Sequence, residues 1–247
     1  MLIAGSLQFS AVWGGVLLGW VPVIGLLILL LGLHRVFSSA PVLSRTSPNP
    51  PCDQPLTVVI PAYNEQDNIS RCLKSVLASV PPACQWTVLV VDDRSTDRTA
   101  EIAQEVMNAR SNLDVECQVL DAGARPIGER WVGKNWACTR AMEIVQSPWV
   151  LFLDADVELS SDALARALSS AVAEEADLLS LAPRLVCGCL AEWMVQPIMA
   201  SLLGLGFPIL ETNDPASPVA FAAGPFMLFK ASTYAQIGGH RELAGEV

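Results

Sequence analysis

Hydrophobic and polar positions divide the chain into three regimes. Residues 1–33 carry no Asp, Glu, Lys or Arg, and Ala11 to Leu33 form an apolar run of 23 residues. At about 1.5 Å per helical residue such a run crosses ~30 Å of hydrocarbon, which predicts a transmembrane anchor over residues 1–36. The start lacks a basic stretch, and the apolar block is longer than the core of a cleaved secretion signal. Pro22 and the glycines are compatible with a span, because membrane helices tolerate both. Residues 37–55 contain Pro41, Pro48, Pro50, Pro51 and Pro55 and predict an extended linker. From Leu56 to Val247, short runs rich in β-branched residues alternate with amphipathic segments, as expected of one globular domain.

Within residues 56–247, "LTVVIPAY", "WTVLVVDD", "VECQVLDA" and "PWVLFLDAD" predict strands, and "ADLLSLAP" a further one. Between them, "NISRCLKSVLASV" keeps Ile69, Leu73, Val76, Leu77 and Val80 on a helical period, and "DRTAEIAQEVMNA" aligns Ala103, Val106 and Met107. "NWACTRAMEIV" and "SSDALARALSSAVAEE" supply two more helices. Strand, helix and strand in repetition predict an α/β, Rossmann-like fold with a mostly parallel sheet buried on both faces and right-handed crossovers.

In such sheets ligands bind outside the carboxyl ends of the strands. The polar groups fall there: "PAYNE" closes the first strand, "DDRSTD" the second, and "DAD" the strand before residue 157. A polar, capped loop explains any one of these, but not three at one edge. The first turn, "PAYNEQDN", has no glycine, which excludes a dinucleotide-binding turn or a P-loop there. Asp154 and Asp156 stand at i and i+2; in an extended chain they face the same side. Two carboxylates so placed repel unless a cation or proton lies between them, and they form a plausible seat for a hard divalent ion.

Composition sharpens this picture. The 247 residues are 52% hydrophobic and 16% charged, with a mean hydropathy of +0.42. The net charge of −10 argues against a nucleic-acid partner, which calls for a basic face. Seven cysteines without paired CxxC sets and two histidines make a zinc site or a disulfide framework improbable. Arg35 and Arg45 follow the apolar run and no basic residue precedes it, so the positive-inside rule predicts a cell-membrane protein with its globular domain in the cytoplasm. Residues 189–210 carry one charge, Glu192, and read as an interfacial helix beside a lipid surface, with a buried core helix or a second membrane span, made less convincing by Pro197 and Pro208, as the alternatives.

"VVIPAYNE", "LVVDDRSTD", "WVGKNWA", "LFLDADVEL", "FAAGPFMLFK" and "IGGH", in this order, resemble family 2 glycosyltransferases of the GT-A fold. The resemblance covers residues 56–247, and within the family it points to membrane-bound enzymes that glycosylate carotenoids or are associated with hopanoid synthesis. It implies that Pro61, Ala62 and Tyr63 line a nucleobase pocket, with Tyr63 offering a ring face. Glu65 is implied near the ribose or base, and Asp93, together with Asp92, as acceptor of a uracil imide N–H. Asp154 and Asp156 are implied as the DxD element that holds Mg²⁺ or Mn²⁺. Lys134 is placed near the diphosphate, its alternative being a solvated lysine at a helix start. The function implied is inverting transfer of a sugar from a UDP-type nucleotide-sugar donor to a hydroxyl of a lipid-like acceptor. The alternatives are a polyprenyl-phosphate sugar synthase and a non-catalytic, membrane-tethered nucleotide-sugar-binding protein.

The chain departs from the family at one point. A Glu-Asp pair normally supplies the general base shortly after Gly-Gly-His, whereas this chain reads "GGHRELAGEV", in which neither Glu242 nor Glu246 precedes an Asp. The expectation is a piece of a longer enzyme, with the base and further membrane helices beyond Val247. Within the chain, Glu246 is the substitute.

Overall fold

Central strands buried on both faces organise the globular part. The computed structural model describes residues 3–43, 51–110, 114–207, 209–214 and 216–246. Among them six strands form one sheet: β1 (Leu56–Ala62), β2 (Trp86–Asp92), β3 (Glu116–Asp121), β4 (Trp149–Leu153), β5 (Leu178–Ser180) and β6 (Phe226–Lys230). The order is β3-β2-β1-β4-β6-β5. β1 pairs in parallel with β2 and β4, and β2 with β3, while β6 runs antiparallel between β4 and β5. The α/β, mostly parallel sheet expected from the alternation is present.

Every residue of β1 and β4 is buried, which is why both strands read as unbroken apolar runs rather than alternating ones. Successive side chains still point to opposite faces. Val58, Ile60 and Leu151 meet one helical layer, made by α2 (Ile69–Leu77), α3 (Thr99–Asn108) and α5 (Ala163–Ala173). Val59, Val150 and Phe152 meet the other, built on α4 (Asn135–Met142) and α8 (Ala231–Gln236). α2 buries Ile69, Cys72, Leu73 and Val76, an i, i+3, i+4, i+7 stripe. Fully burying a side chain such as Leu73 contributes about 1.5–3 kcal/mol. The stripe ends earlier than its sequence period predicted: α2 stops at Leu77, and Val80 is exposed because its N–H has left the helix to donate to the Ser161 carbonyl at 2.7 Å.

The chain forms two compact units, Met1–Val42 with Leu185–Phe221, and Leu43–Arg184 with Ala222–Val247. Residues 185–221, which the sequence placed within the domain 56–247, thus group with the N-terminal helix. In the first unit α1 (Ile3–Ser39) contains an 18-residue window, Gly19–Val36, apolar and long enough to cross a membrane. Because α1 runs to Ser39, the start of the predicted 37–55 linker is helical. Residues 44–50 of that linker lie outside the described residues. Its end is held, with the Cys52 N–H donating to the Pro82 carbonyl at 3.2 Å. α6 (Leu190–Gly206) packs on α1 and exposes Trp193, Met194, Ile198 and Leu202. Its charge, Glu192, reaches back to accept the Gly188 N–H at 2.6 Å, satisfying a donor at the helix start. A short helix, α7 (Ile209–Thr212), follows.

Candidate active site

The carboxyl ends of β1, β2 and β4 open into a cleft of about 810 Å³, within the ~300–1,000 Å³ usual for small-molecule sites. β1 delivers Pro61 and Ala62 to its wall, followed by Tyr63 and Glu65. Between these two, Asn64 takes a left-handed backbone, φ 55°, which Asn tolerates through local hydrogen bonds. Its N–H donates to Ser95 Oγ at 2.9 Å, and its Oδ1 accepts the Thr96 N–H at 2.8 Å. The Glu65 N–H donates to Thr99 Oγ1 at 2.8 Å. The loops after β1 and β2 are thereby stitched together, and Tyr63 is left 58% exposed.

The adjacent aspartates of β2 part company. Asp93 is buried and lines the cleft, where its carboxylate accepts a hydrogen bond from the Arg125 guanidinium. Asp92 does not line the cleft; its Oδ2 accepts the Ser95 N–H at 3.1 Å and so braces the turn behind Asp93. Neighbouring residues at a strand tip point to opposite sides, and that separates the two.

The loop from β3 to α4 carries the cationic wall. Arg125 also donates from Nη1 to the Trp131 carbonyl at 3.2 Å. Gly133 sits at φ 51°, where a side chain is strained, and turns the chain so that Lys134 enters the cleft. Lys134 Nζ lies 2.5 Å from Asp154 Oδ1 and 3.3 Å from the Gly224 carbonyl. Lys134 thus lines the cleft, paired with Asp154, rather than standing solvated at the start of α4.

Asp154 and Asp156 both line the cleft, but not by strand alternation. β4 ends at Leu153, the Asp154 N–H donates to the Pro225 carbonyl at 3.1 Å, and the Val157 N–H returns to the Asp154 carbonyl at 3.2 Å. A turn, not an extended tip, carries the pair, because the pairing with β6 stops at Leu153–Phe226. Cys72 beneath this turn registers both carboxylates. Burial, and then the charges of Asp156 and Asp154, push its thiol up to about 12.

The donor set suits a hard cation. One or two carboxylates, completed by substrate phosphates and water, is the usual protein share of an Mg²⁺ site, and Asp154 and Asp156 supply it. Among the described residues no three His, Cys, Asp or Glu side chains converge, so a cation here would depend on oxygen ligands brought by a substrate.

Behind Lys134, α9 (Gly239–Glu242) places His240 against the core. Its Nδ1 lies 2.7 Å from the Tyr234 hydroxyl, and its ring meets Phe152 edge-on at 4.7 Å. Burial first, and the Lys134 charge second, lower its pKa to about 4, so it is a neutral packing and hydrogen-bonding group. The following segment clamps the β3–α4 loop: the Val132 N–H donates to the Ala244 carbonyl at 2.8 Å, and Asn135 Nδ2 to the carbonyls of Leu243 and Glu246 at 2.6 and 3.0 Å. Glu246 is thereby tied to Asn135 through its backbone carbonyl, while it lines no part of the cleft.

The structure thus brings Pro61, Ala62, Tyr63, Glu65, Asp93, Lys134, Asp154 and Asp156 to one cleft and leaves Asp92 and Glu246 outside its lining. Sequence reasoning missed Arg94, Arg125 and the Gly224 carbonyl. Arg94 stood inside the quoted "DDRSTD"; no periodicity or motif singled out Arg125.

Residues 57–238 match the description "Glycosyl transferase family 2". The chain belongs to that family. Among curated proteins this family 2 chain is 28% identical over 196 residues to a 4,4'-diaponeurosporenoate glycosyltransferase of Staphylococcus haemolyticus, covering 78% of the chain and 49% of that protein. It therefore spans about half the length of this curated relative. Two solved structures share its fold. A mannosyltransferase from Pyrobaculum calidifontis, in complex with GDP-Man and Mn²⁺, superposes with a TM-score of 0.61 at 22% identity, over 85% of this chain and 54% of that one. S. aureus TarS, in complex with UDP, gives 0.52 at 20% identity, over 74% and 48%.

Proposed function

We propose that this family 2 chain binds a UDP-type nucleotide sugar and transfers the sugar, with inversion, to a hydroxyl of a lipid-like acceptor at a membrane. The observation that carries the reading is the convergence of Asp93, Lys134, Asp154 and Asp156 on one cleft at the carboxyl edge of the sheet. Tyr63 offers a stacking face for the base, Asp93 an acceptor for a ring N–H, and Glu65 an acceptor near the ribose. Lys134 supplies positive charge where a diphosphate leaves. Asp154 and Asp156 would hold Mg²⁺ or Mn²⁺, whose contribution when bound is to neutralise charge on the departing nucleoside diphosphate. The relatives support this: one solved neighbour binds GDP-Man and Mn²⁺, another UDP.

In a single displacement the acceptor oxygen bonds to the anomeric carbon as the bond from that carbon to the diphosphate oxygen breaks. The acceptor proton passes to a carboxylate on the face opposite the leaving group. Within the chain Glu246 is the candidate for that role; its backbone carbonyl accepts from Asn135 Nδ2, and its side chain stands outside the cleft lining. A lipid-like acceptor of carotenoid type is supported by the Staphylococcus relative and by the apolar first unit, whose α1 is a candidate span; the hopanoid type rests on the sequence resemblance alone. Arg35 just after the apolar run favours a cytoplasmic globular unit.

The test is to incubate the full chain in lipid vesicles with UDP-glucose or UDP-GlcNAc, Mn²⁺ and a polyene alcohol, and to follow UDP release. Release that depends on the alcohol supports transfer. Binding of the UDP-sugar without release favours a tethered binding protein.

A further inference from the structure

Resting on the nucleotide site proposed above, the geometry points to Ser180 as a positioning residue that holds Lys134 and Asp154 in place through the turn at 223–225. Ser180 ends β5, a three-residue strand at the edge of the sheet. Leu179 and Leu181 on either side of it pack toward the layer of α2, α3 and α5, so the half-buried Ser180 faces the opposite side. The backbone pairing with β6 includes Ser180–Met227, and one further bond runs from the Leu181 N–H to the Phe226 carbonyl at 3.2 Å. Upstream of Phe226 the chain turns at Gly224 and Pro225, and there the Ser180 hydroxyl takes over from the ladder. Its Oγ donates to the Ala223 carbonyl at 3.0 Å and accepts the Ala223 N–H at 2.7 Å. A hydroxyl is donor and acceptor in one atom, so one side chain satisfies both polar groups of Ala223.

The next two carbonyls of this turn reach the cleft residues. That of Gly224 accepts from Lys134 Nζ at 3.3 Å, and that of Pro225 accepts the Asp154 N–H at 3.1 Å. Three consecutive residues thus give their carbonyls to three different elements: the end of β5, the start of α4 and the turn after β4. Pro225 fixes its own φ and narrows the choices open to Gly224, so an anchor at Ala223 is transmitted along the turn rather than absorbed by it. Lys134 and Asp154, which also meet each other at 2.5 Å, therefore take their positions from one short piece of backbone. An octahedral cation such as Mg²⁺ tolerates little error in its ligands, and a site is only as precise as the groups that support it. Tyr63 and Asp93 come from the ends of β1 and β2, where Asp93 is held by Arg125, and do not depend on this turn.

A hydroxyl that merely secures an edge strand would make the same two bonds, and the test separates the roles. Calorimetry on the full chain measures UDP affinity in Mn²⁺ and in excess chelator for wild type, Ser180→Ala and Ser180→Thr, with the melting temperature of each. Ser180→Ala is expected to lose about tenfold in affinity in Mn²⁺ while its affinity in chelator stays within about twofold of wild type. Ser180→Thr, which keeps the hydroxyl, is expected to recover most of the advantage that Mn²⁺ confers. A lowered melting temperature in Ser180→Ala with that advantage unchanged, equal losses in Mn²⁺ and chelator, or equal losses in Ser180→Ala and Ser180→Thr overturn the assignment and leave the nucleotide site standing. Should Ser180→Ala fail to fold, Ser180→Cys, a weaker donor of similar shape, is measured in the same two conditions, and an unchanged Mn²⁺ advantage overturns the assignment equally. Wild type that binds UDP no better in Mn²⁺ than in chelator, or not at all, overturns both.

Discussion

Lys134 Nζ lies 2.5 Å from Asp154 Oδ1, joining the start of α4 to the turn after β4 across the floor of the cleft. Both side chains are about a third exposed, 33% and 31%, so the pair contributes at most ~1 kcal/mol to stability. Its value lies in placing one cation and one carboxylate where a diphosphate and its counter-ion are proposed to sit. Replacing Lys134 by Met is therefore expected to move the melting temperature by only a few degrees while weakening UDP binding about tenfold or more. Calorimetry and thermal melting on the same preparations check this. Retained affinity with a lower melting temperature would make Lys134 a structural residue.

Gly239 is constrained by the space around it. It sits at φ 55°, and a Cβ there would stand 2.3 Å from Tyr234 Cε1. Gly239→Ala is expected to cost about 1–3 kcal/mol from overpacking alone, visible as a lower midpoint in urea. An unchanged midpoint would show that α8 and α9 have room to separate.

Much of this was legible in the sequence. The unbroken apolar runs of β1, β2 and β4 marked central parallel strands, and the acids at their ends marked the cleft, because a strand buried on both faces can end in charge only where it leaves the core. β6 was not identified as a strand. "FMLFK" is five residues long with no alternation, and nothing local tells that it inserts antiparallel between β4 and β5. Arg125 escaped for a related reason: it comes from an irregular loop and acquires its partner 32 residues away in sequence only through the fold. The turn geometry of Asp154 and Asp156 depends on where β6 stops pairing, which again is a tertiary fact.

His240 makes acid stability informative. Burial and the Lys134 charge lower its pKa from 6.5 to about 4. The unfolded chain takes up this proton below pH ~6.5, whereas the folded chain resists until about pH 4. Its contribution is thus complete above pH 6.5 and is lost as pH falls through that window, at up to ~1.4 kcal/mol per pH unit. His240→Phe, which cannot titrate, is expected to show a flatter decline in urea midpoint between pH 6.5 and 4.5 than wild type. Equal slopes would mean that the ring is solvated and titrates normally.

The central claim is that Asp154 and Asp156 hold a divalent cation that ties a nucleoside diphosphate to the cleft. Calorimetric titration of the full chain with UDP, in Mn²⁺ and again in excess chelator, tests it most directly, with Asp156→Asn as the control. The account predicts binding at least about tenfold tighter with Mn²⁺, a difference that Asp156→Asn abolishes. Equal affinity in metal and chelator, or no heat of binding at saturating UDP, would contradict it.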